Sequence, residues 1–104
     1  MFKIGIIAYY SKTLSYYGTA TALSVARYYL VAASVGNYVL FGGGYASAVS
    51  AVVDAYDTSL VRTTPTALSA ARCNLAVASI GDYALFGGGN TGTYSAVVDV
   101  YQYN

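Results

Sequence analysis

Short apolar runs, each bounded by Gly, Asn, Asp, Ser or Pro, recur along most of the chain. The first spans Tyr28–Val35 and the second Tyr38–Gly42, with Gly36-Asn37 between them. Gly and Asn tolerate the positive φ of primed two-residue turns, so the pair predicts a β-hairpin. A third run, Ala51–Tyr56, follows a loop containing Gly and Ser, and Asp57-Thr58-Ser59 turns the chain into a shorter, more polar run at Leu60–Thr64. Pro65 ends it, because proline has no N–H to give a ladder. The second run is continuously apolar, as expected of a strand covered on both faces. Each unit is thus four strands, the last of them at an outer rim.

The pattern repeats. Residues 23–59 return at 68–104 with a constant offset of 45, no gap, and 20 of 37 positions identical. Leu23-Ser24-Val25-Ala26-Arg27 becomes Leu68-Ser69-Ala70-Ala71-Arg72, and Ser50-Ala51-Val52-Val53-Asp54 becomes Ser95-Ala96-Val97-Val98-Asp99. Gly81-Asp82 takes the hairpin position, and Ala96–Tyr101 the third strand. A period in the forties made of short strands predicts β-propeller blades rather than a helical solenoid. The N-terminal part is related more loosely. Thr21-Ala22-Leu23-Ser24 matches Thr66-Ala67-Leu68-Ser69, and Ala8-Tyr9 through Leu14 resembles Ala55-Tyr56 through Leu60 with one extra residue. Residues 1–22 therefore read as the third and fourth strands of a partial blade, 23–67 as one blade, and 68–104 as a second blade lacking its outer strand.

Composition fits strands: 57% of residues are apolar and 9% charged, with 13 Tyr and no Trp or His. β-Branched and aromatic residues suit pleated, half-buried surfaces. A net charge of +1 is too small for an electrostatic nucleic-acid footprint. The apolar runs are strand-length, so no membrane insertion is expected. Lys3 with Ile4–Ala8 lacks the apolar core and cleavage site of a signal peptide and reads as part of a strand at Phe2–Tyr10. Cys73 is alone and reads as a small buried hydrophobe.

At Tyr38-Val39-Leu40-Phe41-Gly42-Gly43-Gly44 and Tyr83-Ala84-Leu85-Phe86-Gly87-Gly88-Gly89 the chain resembles the kelch repeat. The resemblance rests on an Arg, small residues, a Gly-containing turn, Tyr, hydrophobics, a Gly-Gly doublet and a later aromatic at Tyr56 and Tyr101. It covers about residues 23–104. One departure is plain: kelch units usually carry a Trp after the third strand's turn, where this chain has Leu60-Val61. The resemblance implies four-stranded antiparallel blades around a central channel, usually serving as interaction platforms and in a minority of cases as enzymes. At the end of the second strand, glycines allow backbones to approach near the narrow centre of such a ring. Gly42, Gly43, Gly44, Gly87, Gly88 and Gly89 are accordingly expected to be backbone devices, and Val at Gly43 or Gly88 to cost about 1–3 kcal/mol.

Arg27 and Arg72 hold equivalent positions. The kelch resemblance would put them toward the channel entrance, where a ring of arginines could hold acidic peptides or anionic sugars. The favoured reading is that each pairs with an Asp of its own or the next blade, Asp54 and Asp99, or with backbone carbonyls near the channel. Both arginines recur in each unit, as a packing role requires. Tyr45 and Tyr94 fall in the loop before the third strand, and there, like Tyr28 and Tyr29, can stack on sugars or anchor protein partners, or simply pack. Gly87-Gly88-Gly89-Asn90-Thr91-Gly92 satisfies a dinucleotide-loop spacing, but Thr93-Tyr94-Ser95-Ala96-Val97-Val98 reads as a strand, so no helix N-terminus awaits a pyrophosphate. No cofactor is expected. Without His or a second Cys, triads and His-based metal sites are unavailable, and no catalytic residue is assigned.

Two blades in sequence leave an apolar face at each end, as in any truncated repeat array. The expectation is therefore a homo-oligomer in which residues around Ser15–Ala22 complete the second blade of a neighbouring copy. Three copies make a six-bladed ring, four make eight, and a filament is the open form. The trimer is favoured. The leading reading is a non-enzymatic structural or protein-interaction module, and the rival a carbohydrate- or cell-surface-binding module of tail-fibre or adhesin type.

Overall fold

Short strands that alternate side chains between two faces form two sheets, and one face of the first sheet packs against the second. The computed structural model describes residues 12–104, so the strand expected at Phe2–Tyr10 lies outside the described residues. The first sheet contains β1 (Val31–Val35), β2 (Tyr38–Gly42), β3 (Val53–Tyr56) and β4 (Arg62–Thr63). The second contains β5 (Ala76–Ile80), β6 (Tyr83–Gly87) and β7 (Val98–Gln102). Both are antiparallel meanders, ordered β1-β2-β3-β4 and β5-β6-β7. The described residues form no helix.

Register is the same in both sheets. Val35 pairs with Tyr38 and Phe41 with Asp54, just as Ile80 pairs with Tyr83 and Phe86 with Asp99. Both hairpins turn through glycines at left-handed φ, +55° at Gly36 and +56° at Gly81, the conformation a two-residue turn demands.

Strand ends differ from the sequence expectation for local reasons. β1 starts at Val31 rather than Tyr28, because Tyr29 adopts φ +57°, as Asn74 does at +55° in the second unit. β3 starts at Val53 and β7 at Val98, two residues late. There Ser50 and Ser95 hydroxyls accept from the N–H of Val52 and Val97, tying the backbone locally. β4 is only two residues long, since Leu60 sits at φ +63° and the Asp57 carboxylate accepts from the N–H groups of Ser59 and Val61. Residues 12–22, expected to hold strands of a partial blade, pair in no ladder among the described residues.

The core lies between the sheets. Val35, Leu40, Val53 and Ala55 from the first meet Ala84 and Phe86 from the second, with Leu68 and Leu75 of the connection beneath them. β2 is not covered on both faces as its sequence suggested: Leu40 is buried, whereas Val39 and Phe41 point to the other face and are only half-buried.

Candidate functional site

Each sheet carries an arginine–aspartate hub. The segment before β1 brings Arg27 across the sheet. Its Nη1 donates to Asp54 Oδ2 at 3.0 Å and to Val25 O at 3.1 Å, Nε to Gly43 O at 2.7 Å, and Nη2 to Phe41 O and Val52 O. Arg27 and Asp54 side chains are fully buried. Asp54 also accepts from Ser24 N and, on Oδ1, from Thr64 Oγ1 at 3.3 Å. Burial pushes the Asp54 carboxyl up, but hydrogen bonds from Ser24 and Arg27, with the guanidinium charge, more than offset it and hold the pKa below 3.8.

The second hub repeats this with fewer bonds. Arg72 Nη1 donates to Asp99 Oδ2 at 3.0 Å and Nη2 to Phe86 O at 3.0 Å, while its buried Nε has no partner. Asp99 accepts from Ser69 N and Oγ on the same Oδ2, and its side chain is 19% exposed against 0% for Asp54. Neither arginine projects into a solvent-filled channel within the chain: both guanidinium groups are buried.

The glycine triplets behave differently from one another. A Cβ on Gly42 would stand 2.8 Å from the Phe86 ring, and one on Gly43 2.7 Å from Arg72 O. Gly44 N donates to Arg72 O at 2.8 Å, and Arg72 N to Ser50 O at 3.1 Å, so the first triplet is where the two units touch through their backbones. Gly87, Gly88 and Gly89 share the conformation, with φ +72° at Gly88 and +98° at Gly89. Gly88 has nothing nearer than Ser95 O at 3.6 Å.

The tyrosines separate as well. Tyr45 forms an isolated bridge with Tyr28, its ring centroid 5.6 Å from that of Tyr28, which lies 4.6 Å from Tyr29. Tyr94, bridged through its backbone to Asn90, is exposed in the equivalent loop. After the Gly87–Gly92 run comes β7, with no helix N-terminus. Among the described residues no three His, Cys, Asp or Glu side chains gather to hold a metal ion, and no helix is long and apolar enough to cross a membrane.

The sequence predicts an open apolar face at each end of the two-unit array without naming its residues, which the structure supplies. In the first unit Val53, Ala55 and Val35 are 0%, 5% and 5% exposed; their equivalents Val98, Val100 and Ile80 are 54%, 54% and 70% exposed. On the opposite side of the molecule, Phe41, Val39, Tyr56, Leu23, Leu60 and the Thr19–Thr21 backbone stretch enclose an apolar hollow of about 510 Å³. The 45-residue offset matches these positions between units but does not say which unit's face is covered. A scan of protein-family models and a search of curated proteins both find no match to this chain.

Proposed function

We propose that this chain is a non-enzymatic structural and interaction module that assembles with copies of itself, kelch-like blade against blade, into a propeller ring or a filament. One observation carries the reading. The exposed face of the second sheet presents Ile80, Val98 and Val100 at the positions by which the first sheet buries Val35, Val53 and Ala55. The hollow beside Phe41 stands where the second sheet, at Phe86, receives those side chains. The two open faces are therefore copies of the two halves of an interface already made once inside the chain. Faces so related associate head to tail, which closes into a ring or runs on as a fibre. Exposed contiguous apolar surface of this kind marks an interaction site. Two blades per copy permit six blades from three copies or eight from four, and the kelch resemblance favours the trimer.

Light scattering over a range of concentrations tests the reading. Wild type is expected to give a multimer of discrete mass or a growing fibre. Val98→Asp with Val100→Asp is expected to give a folded monomer of unchanged circular dichroism. A wild-type monomer at high concentration would sink it.

A second reading, binding of glycans or cell surfaces, has one observation in its favour. Tyr28, Tyr29 and Tyr45 form a partly exposed aromatic cluster, where rings can stack on sugar faces. Glycan-array binding lost on Tyr45→Ala would favour it, and Tyr94→Ala reports on the exposed loop tyrosine.

A further inference from the structure

The outer edge of β7 has no partner strand among the described residues, whereas the equivalent edge of β3 is covered by β4. The covering residues pair as Ala55 with Thr63 and Tyr56 with Arg62, and the pairing continues to Asp57, whose N–H donates to Val61 O. Forty-five residues before Val61, Arg62 and Thr63 stand Tyr16, Tyr17 and Gly18. Both segments lead into their units along the same path. Tyr56 Oη donates to Thr21 O at 2.7 Å, and Tyr101 Oη to Thr66 O at 2.7 Å. Yet 62–63 lie along a sheet that precedes them, while Tyr16 and Tyr17, 86% and 88% exposed, lie on none among the described residues.

From this we infer that residues 15–19 of one copy form the fourth strand of the second sheet in another copy, antiparallel to β7. The register sets Tyr16 opposite Gln102, Tyr17 opposite Tyr101 and Gly18 opposite Val100. The inference rests on the self-assembly reading and adds to it the direction of the exchanged strand, its register and the contact that selects it. An unpaired strand edge is a template for just such an addition.

A polar contact selects this register. In the first sheet Thr64 Oγ1 donates to Asp54 Oδ1. The residue 45 positions earlier is Thr19, also a threonine. Asp99 Oδ1, the acceptor it would reach, takes no hydrogen bond among the described residues, and the Asp99 carboxylate is the more exposed of the two. Docking of the strand places a hydroxyl donor on that oxygen and covers the carboxylate. Arg62, whose Nε lies 4.0 Å from Asp54 Oδ1, has Tyr17 as its counterpart, so the second hub gains its closing hydrogen bond from Thr19 alone.

Disulfide trapping between full-length chains tests the inference. Both chains carry Cys73→Ala; one adds Tyr16→Cys and the other, with a mass tag, Gln102→Cys. Both positions are exposed in the single chain, so neither substitution disturbs its core. Directly opposed antiparallel residues lie within disulfide reach, about 5.5 Å between Cα atoms. Mild oxidation is expected to give the mixed dimer, and the pair Tyr16→Cys with Val100→Cys, two residues out of register, to give at least about tenfold less. In a separate titration Thr19→Val is expected to weaken association about tenfold or more, the scale of a hydrogen bond to a charged group, while Thr19→Ser stays near wild type. Light scattering of wild type is run alongside. A multimer that yields no in-register disulfide, or equal amounts from both pairs, overturns strand exchange and leaves self-assembly standing. A monomer overturns both. A disulfide formed within one chain carrying both cysteines, at dilution where no multimer exists, also overturns the exchange.

Discussion

Gly43 and Gly88 occupy the same position in their units and nearly the same backbone conformation, φ +70° and +72°, yet alanine is expected to act on them by different routes. At both, an L-residue in the left-handed region costs about 1–2 kcal/mol. At Gly88 that is the whole effect within a single chain, because the new Cβ meets nothing closer than 3.6 Å. At Gly43 the Cβ would sit 2.7 Å from Arg72 O and 2.9 Å from Leu75 Cδ2. Arg72 O is also the acceptor of the Gly44 N–H, so relief requires the second unit to move away from the first. Overpacking of this kind adds about 1–3 kcal/mol, making Gly43→Ala worth about 2–5 kcal/mol against about 1–2 for Gly88→Ala. Urea titration at micromolar protein measures both, with the midpoint shifting and the slope unchanged if only stability changes. Raising the concentration adds a second readout. Gly88 is the position a neighbouring copy would approach, so Gly88→Ala is expected to lower the assembly fraction, a deficit that Gly43→Ala does not share once its lower stability is allowed for. Equal midpoints for the two variants at low concentration would refute the close-approach argument. Parent-like melting of both would refute the backbone argument as well.

Replacing Asp54 by Ala strands the fully buried Arg27 guanidinium and is expected to cost about 3–5 kcal/mol; Asp99→Ala should cost clearly less, because its carboxylate is partly solvated, as chemical denaturation would show. The folded pKa of Asp54 lies below its ordinary 3.8, so its contribution is present above about pH 4 and is lost as pH falls through the folded value; Asp54→Asn should flatten that acid limb in a pH-dependent melt. Tyr101 runs the other way. Burial, then the Asp99 charge, push its pKa up from 10.0 to about 12, partly countered by Arg72. An unfolded chain ionises this phenol first, so stability falls as pH rises from about 10 toward 12; Tyr101→Phe should remove that slope in alkaline melts. Phe86→Ala, at a ring with no exposure, is expected to cost about 3–5 kcal/mol, and Phe41→Ala much less at low concentration, where its ring faces the open hollow.

Much of the architecture was legible from the 45-residue offset. The repeated Gly-Asn and Gly-Asp dipeptides located both hairpins, and the apolar runs located β1, β2, β5 and β6 to within a few residues. Those signals are local: turn chemistry and side-chain alternation act over two to eight residues and are written in order along the chain. The ladder ends were less legible. Whether Ser50 ties down Val52, or Tyr29 takes a left-handed φ, depends on a few dihedrals that composition leaves free.

What the sequence by itself determined is a repeated all-β unit with an arginine and an aspartate in each copy and a glycine triplet between them. It could offer Asp54 as a partner for Arg27, but as one of two roles, since a separation of 27 positions along the chain carries no distance information. Only the tertiary structure decided that both guanidinium groups are buried in their own sheets, with Asp54 closed off and Asp99 left partly open. It also decided that identical glycines differ in function: Gly43 bears on Arg72 O, while Gly88 touches no neighbouring unit. The physical reason is that a repeated sequence encodes the same faces in each unit, whereas burial depends on what stands opposite. Within this chain the first unit has its successor packed on one face, and the second has its predecessor packed on the other. Val53 is therefore core and Val98 is surface, although the two occupy one position of the repeat.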